Sequence, residues 1–146
     1  MKILFAASEV APFIKTGGLA DVAGSLPQAL AGAGHEVTVV LPLYQGIGPA
    51  WREQMTFLKW FNIPLSWRQA YCGVFQLERD GVTYWFVDNE YYFKREQIYG
   101  HYDDCERFAF FSRAVLALAE HLDYAPDILH CNDWQTALVP VYLLEE

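Results

Sequence analysis

The chain predicts an α/β fold built on an open sheet, and three stretches near its N-terminus carry that expectation. Residues Lys2 to Ser8 (KILFAAS) form a short apolar run of strand character. The double glycine Gly17-Gly18 follows, and from Leu19 onward the apolar residues Leu19, Val22, Ala23, Leu26, Ala29 and Leu30 recur at helical spacing. Gly32 and Gly34 then stop the helix, and Glu36 to Leu41 (EVTVVL) is a β-branched run closed by Pro42 that reads as a second buried strand. Strand, glycine turn, helix and strand make one βαβ unit.

Gln45 to Trp51 holds two glycines and a proline and reads as a loop. Shorter stretches around Met55 to Ile63, Tyr71 to Glu78 and Val82 to Val87 follow, with Asp80-Gly81 a hairpin signal between the last two. Tyr91 to Asp104 is aromatic and polar without a clear period, a long loop of the kind that is often functional. From Cys105 to Leu122 the spacing of Phe108, Phe111, Val115, Leu118, Ala119 and Leu122 predicts a strong helix, with Asp103 and Glu106 spaced as a capping box. Pro126 breaks it, Asp127 to Cys131 reads as a short strand, and Asp133 opens a last helix holding Leu138, Val141, Tyr142 and Leu144. That helix runs into Leu143-Leu144-Glu145-Glu146 with no glycine stop, so the chain is expected to be cut at an element boundary.

A length of 146 residues suits one domain that buries roughly two thirds of its unfolded surface. With 53% apolar and 19% charged residues the composition is that of a globular chain with a rich core, and no internal repeat is present. Eighteen acidic against ten basic residues leave no basic face of the size that nucleic acid or an anionic membrane requires, although a local basic pocket stays open. Cys72, Cys105 and Cys131 are widely spaced without a C-x-x-C pair, which points to reduced thiols and away from a disulfide framework or a zinc site. The N-terminal apolar run is too short for a secretory signal, and no run approaches the ~18 apolar residues of a membrane-spanning helix. A soluble, intracellular chain is expected.

Chemistry concentrates where the first strand turns into the first helix. Lys15-Thr16-Gly17-Gly18 opens that helix at the carboxyl edge of the sheet, where a helix N-terminus offers unpaired N–H groups and partial positive charge to an anion. Gly17 and Gly18 let the backbone come close, and Lys15 adds a full charge. From spacing alone, the same residues also suit a tight turn needing positive φ beside a solvated lysine. The rival phosphate motifs are missing: Gly18 to Gly24 has Ser25 where a P-loop needs lysine, and no G-x-G-x-x-G occurs. Asp133, at the carboxyl end of the last strand, is the second candidate, and it is equally a good N-cap able to accept from the N–H of Gln135 or Thr136. His130 has no second histidine three or four residues away and reads as a packed side chain, not a metal ligand. Asp103-Asp104 lacks the spacing of D-x-D and reads as a helix cap. Tyr91, Tyr92, Tyr99 and Tyr102 invite stacking on sugars, with Tyr99 the choice among them, and Glu9 beside the loop is a candidate to lean toward an acceptor.

The wording of these segments goes further. Ser8 to Val22 (SEVAPFIKTGGLADV) resembles the N-terminal signature of bacterial glycogen synthases and plant starch synthases. The resemblance runs on through Ala23-Gly24-Ser25-Leu26-Pro27, Gly34-His35-Glu36-Val37 and Leu41-Pro42-Leu43-Tyr44, and returns at Asp127 to Thr136 (DILHCNDWQT). Ile98-Tyr99-Gly100 and Glu106 to Phe111 also look like family segments within a looser middle.

That resemblance implies two Rossmann-like domains facing each other across a cleft, the GT-B arrangement, with residues 1–146 as the first part of the N-terminal domain and the C-terminal domain absent. It implies retaining transfer of glucose from ADP-glucose, or UDP-glucose, to the nonreducing end of an α-1,4-glucan, without metal or cofactor. Lys15, Thr16, Gly17 and Gly18 would hold the diphosphate, Asp133 would orient the glucosyl unit, and Tyr99 and Glu9 would face the sugars. Most adenosine contacts and a Val-His-Asn-like catalytic strand end would lie outside these residues, so no catalytic residue is assigned here and the chain alone is expected to be inactive. The compartment implied is the cytoplasm, or the plastid in a plant. A reading from another class stays open, a non-catalytic nucleotide- or glucan-binding module. A nicotinamide-binding domain does not fit, because the second strand ends Val40-Leu41-Pro42 with no acidic residue.

Overall fold

The computed structural model describes residues 1–145, as an α/β domain around one six-stranded sheet. In chain order the elements are β1 (Lys2–Ala6), α1 (Gly18–Gly32), β2 (Glu36–Pro42), α2 (Pro49–Arg52), β3 (Thr56–Leu65), β4 (Arg68–Arg79), β5 (Val82–Asp88), α3 (Glu90–Phe93), α4 (Asp104–His121), β6 (Ile128–Cys131) and α5 (Leu138–Glu145). The strand order is β3-β4-β5-β2-β1-β6. Strands β5, β2, β1 and β6 are mutually parallel, and β3 and β4 add antiparallel partners at one edge. The predicted βαβ unit is present, and Glu146 lies outside the described residues.

This order fixes where a ligand can bind. From β1 the chain moves outward to β2 and β5, then returns to place β6 on the other side of β1, so the order reverses between β1 and β6. In open α/β sheets the crevice at the carboxyl ends of such a pair is the favoured ligand site. Right-handed crossovers put the connecting helices on opposite faces on the two sides of a reversal. Successive residues of β5 agree: Tyr84 and Phe86 meet Phe13 edge-on, whereas Trp85 meets Tyr124 just past α4.

The middle of the chain differs from its sequence reading. The three stretches there are longer strands than expected, joined as a meander, with Asp80 and Gly81 both at positive φ in the β4–β5 hairpin. Pairing of β4 with β5 ends at Gly73 and Asp88, so residues 68–72 and their β3 partners overhang the sheet's carboxyl edge. The loop read over Gln45 to Trp51 contains the start of α2, whose first residue is Pro49. The loop read over Tyr91 to Asp104 begins inside α3 and is otherwise irregular.

Two helix starts are also corrected. Asp103 flanks α4 but makes no side-chain cap; its carboxylate is held by Arg95 at 2.5 and 2.8 Å. Glu106 does not reach back to complete a box, because Arg68 and the Tyr92 hydroxyl take its oxygens. Asp133 opens a short 3-10 turn (Trp134–Thr136) before α5, and its carboxylate accepts from the N–H of Trp134, not of Gln135 or Thr136.

Candidate functional site

The segment between β1 and α1 is fastened to the core before it reaches its polar end. Val10 and Phe13 are buried, and Phe13 packs edge-on to Trp51, Tyr84 and Phe86. Burying one such phenyl ring contributes roughly 2–3 kcal/mol, enough to hold a short loop in one place. The Ala11 N–H donates to the Ala20 carbonyl, and Gly24 lets α1 close on this loop: a Cβ there would lie 2.6 Å from the Ala11 carbonyl oxygen. The buried Tyr44 hydroxyl donates to the Ser8 carbonyl at 2.7 Å, fixing the chain just past β1.

Beyond these anchors, Glu9 is only 2% exposed, and one of its oxygens accepts from both the N–H and the hydroxyl of Thr16. Glu9 thus clasps the glycine loop from below. The donors of Thr16 are turned inward to Glu9, while Gly17 and Gly18 follow with open space above them. Neither glycine has positive φ, so the turn does not require them for backbone conformation. A Cβ on Gly18 would meet no atom within 4 Å, and one on Gly17 would meet only the other Glu9 oxygen at 3.9 Å. What these glycines provide is an uncovered approach to the first turn of α1. That favours close approach of an anion over the tight-turn reading.

Lys15 is not a bare charge at this entrance. Its ammonium donates to both oxygens of Asp21, each at 2.8 Å, with the lysine side chain 54% exposed. An exposed pair of this kind is worth about 0–1 kcal/mol, less than the roughly 1.5–3 kcal/mol of a charge-assisted hydrogen bond to phosphate. The pairing therefore does not bar Lys15 from a diphosphate.

The carboxyl end of β6 completes the site. Ala6 pairs with Cys131, and the backbone and side-chain N–H groups of Asn132 both donate to the Ala6 carbonyl, at 3.2 and 2.9 Å. His130 stacks on Phe5 with ring centroids 4.5 Å apart, the packed role expected of it. Asp133, exposed, adopts φ 63 and ψ −174, a region that non-glycine residues rarely hold and that carries about 1–3 kcal/mol of strain. Strain of this kind persists where the surroundings hold it, and it collects at ligand sites.

Tyr99 is brought to the same place from the distant Tyr91–Asp104 segment. Its hydroxyl lies 2.5 Å from the Ser8 hydroxyl, and its ring tilts against Phe108 and Trp134. Burial pushes the Tyr99 phenol up to about 12; the Ser8 hydrogen bond opposes this, and the nearby carboxylates of Glu9 and Asp133 add to it. The structure thus brings Glu9, Thr16, Gly17 and Tyr99 together at the carboxyl end of β1, with Asp133 close enough to act on the Tyr99 phenol and Lys15 and Gly18 flanking Thr16 and Gly17 in the chain. Trp134, 52% exposed beside Asp133, went unnamed among the sequence candidates although it stands in the same segment. Among the described residues no group of three or more His, Cys, Asp or Glu is placed to hold a metal ion. A concavity of about 770 Å³ lined by Arg68, Tyr71, Asp88 and Tyr91 lies under the overhanging β3–β4 hairpin, away from these residues.

Known proteins are similar to this chain in sequence and fold. Residues 2–146 fit the starch synthase catalytic domain family. The chain is 57% identical over 143 residues to a glycogen synthase of Clostridium botulinum, and 54% identical over 146 residues to one of Geobacillus stearothermophilus. These alignments cover 98% and 100% of this chain and 30% of each relative, so the chain spans about a third of their length. Among solved structures, the catalytic domain of starch synthase IV from Arabidopsis thaliana, bound to ADP and acarbose, superposes with a TM-score of 0.86 at 34% identity, over 97% of this chain and 30% of that one. The family match over residues 2–146, identity above one half to bacterial relatives and the shared fold lead to one assignment: the chain belongs to the glycogen and starch synthase family.

Proposed function

We propose that this chain is the donor-facing part of the N-terminal domain of a retaining glucosyltransferase, which moves glucose from ADP-glucose, or UDP-glucose, to the nonreducing 4-hydroxyl of an α-1,4-glucan. The observation that carries the proposal is the uncovered glycine pair at the start of α1, beside Lys15 and across the β1–β6 switch point from Asp133. An ADP-bound relative of the same fold supports a nucleotide diphosphate as the anion, and its acarbose supports a glucan-like ligand.

In this reading the leaving diphosphate lies over Gly17 and Gly18 at the N-terminus of α1. Lys15 leaves or shares Asp21 to neutralise the charge that builds as the glycosidic bond breaks. Asp133 accepts from a glucosyl hydroxyl, and Tyr99 and Trp134 form an aromatic wall toward the acceptor. The described residues supply a single lysine at this anion site, alongside three carboxylates; in this reading further cationic and base contacts are made by a second, C-terminal domain, as the family resemblance implies. The cytoplasm, or the plastid in a plant, is the compartment this reading implies.

The test is incorporation of labelled glucose from ADP-glucose and from UDP-glucose into maltoheptaose by the full-length protein that carries this chain. Transfer is expected, and Lys15→Ala is expected to lower kcat/KM by about 10- to 160-fold, the loss of one charge-assisted bond. Binding of ADP or glucan without turnover of either donor would instead establish a non-catalytic module.

A further inference from the structure

Tyr99 reaches the crevice from an irregular segment, and a long loop of this kind does not hold a phenol in one place without help. The help comes from α4. Arg107 is fully buried between the Phe93 and Phe108 rings, 5.7 and 5.2 Å from their centroids. Its guanidinium donates to the Tyr92 carbonyl at 2.7 Å, to the Ile98 carbonyl at 2.9 Å and to Asp104 at 2.8 Å. Asp104 in turn accepts from the N–H of Gly100 at 2.8 Å and of His101 at 3.2 Å. The backbone is therefore gripped on both sides of Tyr99, at residue 98 through Arg107 and at residues 100 and 101 through Asp104. Gly100, at φ 89, supplies the turn between the two grips.

This arrangement is more than a general staple. A guanidinium with no exposure needs its carboxylate, and a planar fork with several donors fixes angles that a single ammonium cannot. Arg107 spends these donors on the carbonyl before Tyr99 and on the carboxylate that holds the two amides after it. Among the described residues its Nη2 has no hydrogen-bond partner. On the far side of the grip, the Tyr99 hydroxyl meets Ser8 just past β1, among the residues assigned to ligand binding.

We infer that Arg107 and Asp104 are positioning residues for the glucosyl site, acting through Tyr99 by clamping the backbone of residues 98–101 against α4. The inference rests on the proposed function for its kinetic consequence, but the clamp itself is read without turnover. Neither residue touches a ligand in this scheme. Their effect is the placement of the phenol between the β1 end and Asp133, so their loss acts only where Tyr99 acts.

A double-mutant cycle in the full-length protein tests this, with Asp104→Asn and Tyr99→Phe made singly and together and kcat/KM measured with ADP-glucose and maltoheptaose. Asp104→Asn is expected to lower kcat/KM by about tenfold in the wild-type background and by less than about twofold when Tyr99 is already Phe, within the range of coupling found for residues acting as one unit. Gly100→Ala, which strains the turn but leaves the buried Arg107–Asp104 pair in place, is a second variant expected to show the same dependence on Tyr99. Amide hydrogen exchange at residues 98–101 is expected to quicken at least tenfold in Asp104→Asn while β1 and β6 stay protected. Equal kinetic losses in both backgrounds, unchanged exchange, or a Tyr99→Phe enzyme with wild-type kcat/KM would each overturn the inference. Faster exchange in a protein that transfers no glucose would overturn the proposed function and leave the clamp standing.

Discussion

Gly18→Ala separates a glycine needed for the turn from a glycine needed for a ligand. Gly18 is the first residue of α1, its φ is not positive, and an added Cβ meets nothing within 4 Å. Alanine there strains no backbone and makes no clash, and it lowers the entropy of the unfolded chain. By those terms the substitution stabilises by about 0.4–1 kcal/mol, which raises Tm by no more than a few degrees. The methyl group, however, projects into the space the anion must cross to reach the first helical N–H groups. Losing one charge-assisted hydrogen bond of about 1.5–3 kcal/mol weakens binding roughly 10- to 160-fold. Calorimetric titration of ADP into the full-length protein, with thermal melts of both forms, reads the two effects side by side. Stability is expected to hold or rise while ADP affinity falls at least tenfold. Wild-type ADP affinity in the variant would refute the close-approach argument, and a lowered Tm would show that the turn needs glycine after all.

Gly24→Ala is the contrasting case: its Cβ would lie 2.6 Å from the Ala11 carbonyl oxygen, so a loss of about 1–3 kcal/mol is expected in denaturant melts as α1 is pushed off the loop. Asp133→Asn keeps an oxygen for the Trp134 N–H and the size of the side chain, so the backbone strain is unchanged and Tm is expected to hold while kcat/KM falls at least tenfold, about 1.4 kcal/mol. Equal retention of both would leave Asp133 a local cap. For Tyr99 the folded phenol titrates near 12 against 10.0 when unfolded, so its contribution is fully present below pH 10 and is lost as pH rises toward 12. Tyr99→Phe is expected to flatten the alkaline fall in stability across that window, measured by chemical denaturation at each pH. An unchanged slope would remove the phenol from its buried position.

The sequence by itself determined what is local. Apolar period and glycine placement located β1, α1, β2, α4 and β6 to within a residue or two, because a buried strand or an amphipathic helix writes its period into neighbouring positions. The literal wording of Ser8 to Val22 and Asp127 to Thr136 carried the family. The overhang of β3 and β4 was not legible in the same way. Phe57, Leu58 and Trp60 of the edge strand β3 are exposed, so its apolar residues do not alternate between a core and a solvent face. The capping box at Asp103 was locally well spelled, and it lost to Arg95, whose paired N–H donors outcompete a helix end for a carboxylate.

Tertiary structure alone decided the site. Tyr99 meets Ser8 across 91 positions of sequence, and Asn132 meets Ala6 across 126. No periodicity links residues so far apart; the β1–β6 pairing sets Asn132 beside Ala6, and the hold of α4 on residues 98–101 sets Tyr99 beside Ser8. The same holds for the meaning of the glycines. Sequence spacing cannot distinguish a glycine required for positive φ from one required for empty space, because both are the same letter beside the same helix. The backbone angles and the void over Gly18 make that distinction, since they report what surrounds the missing Cβ once the chain has folded.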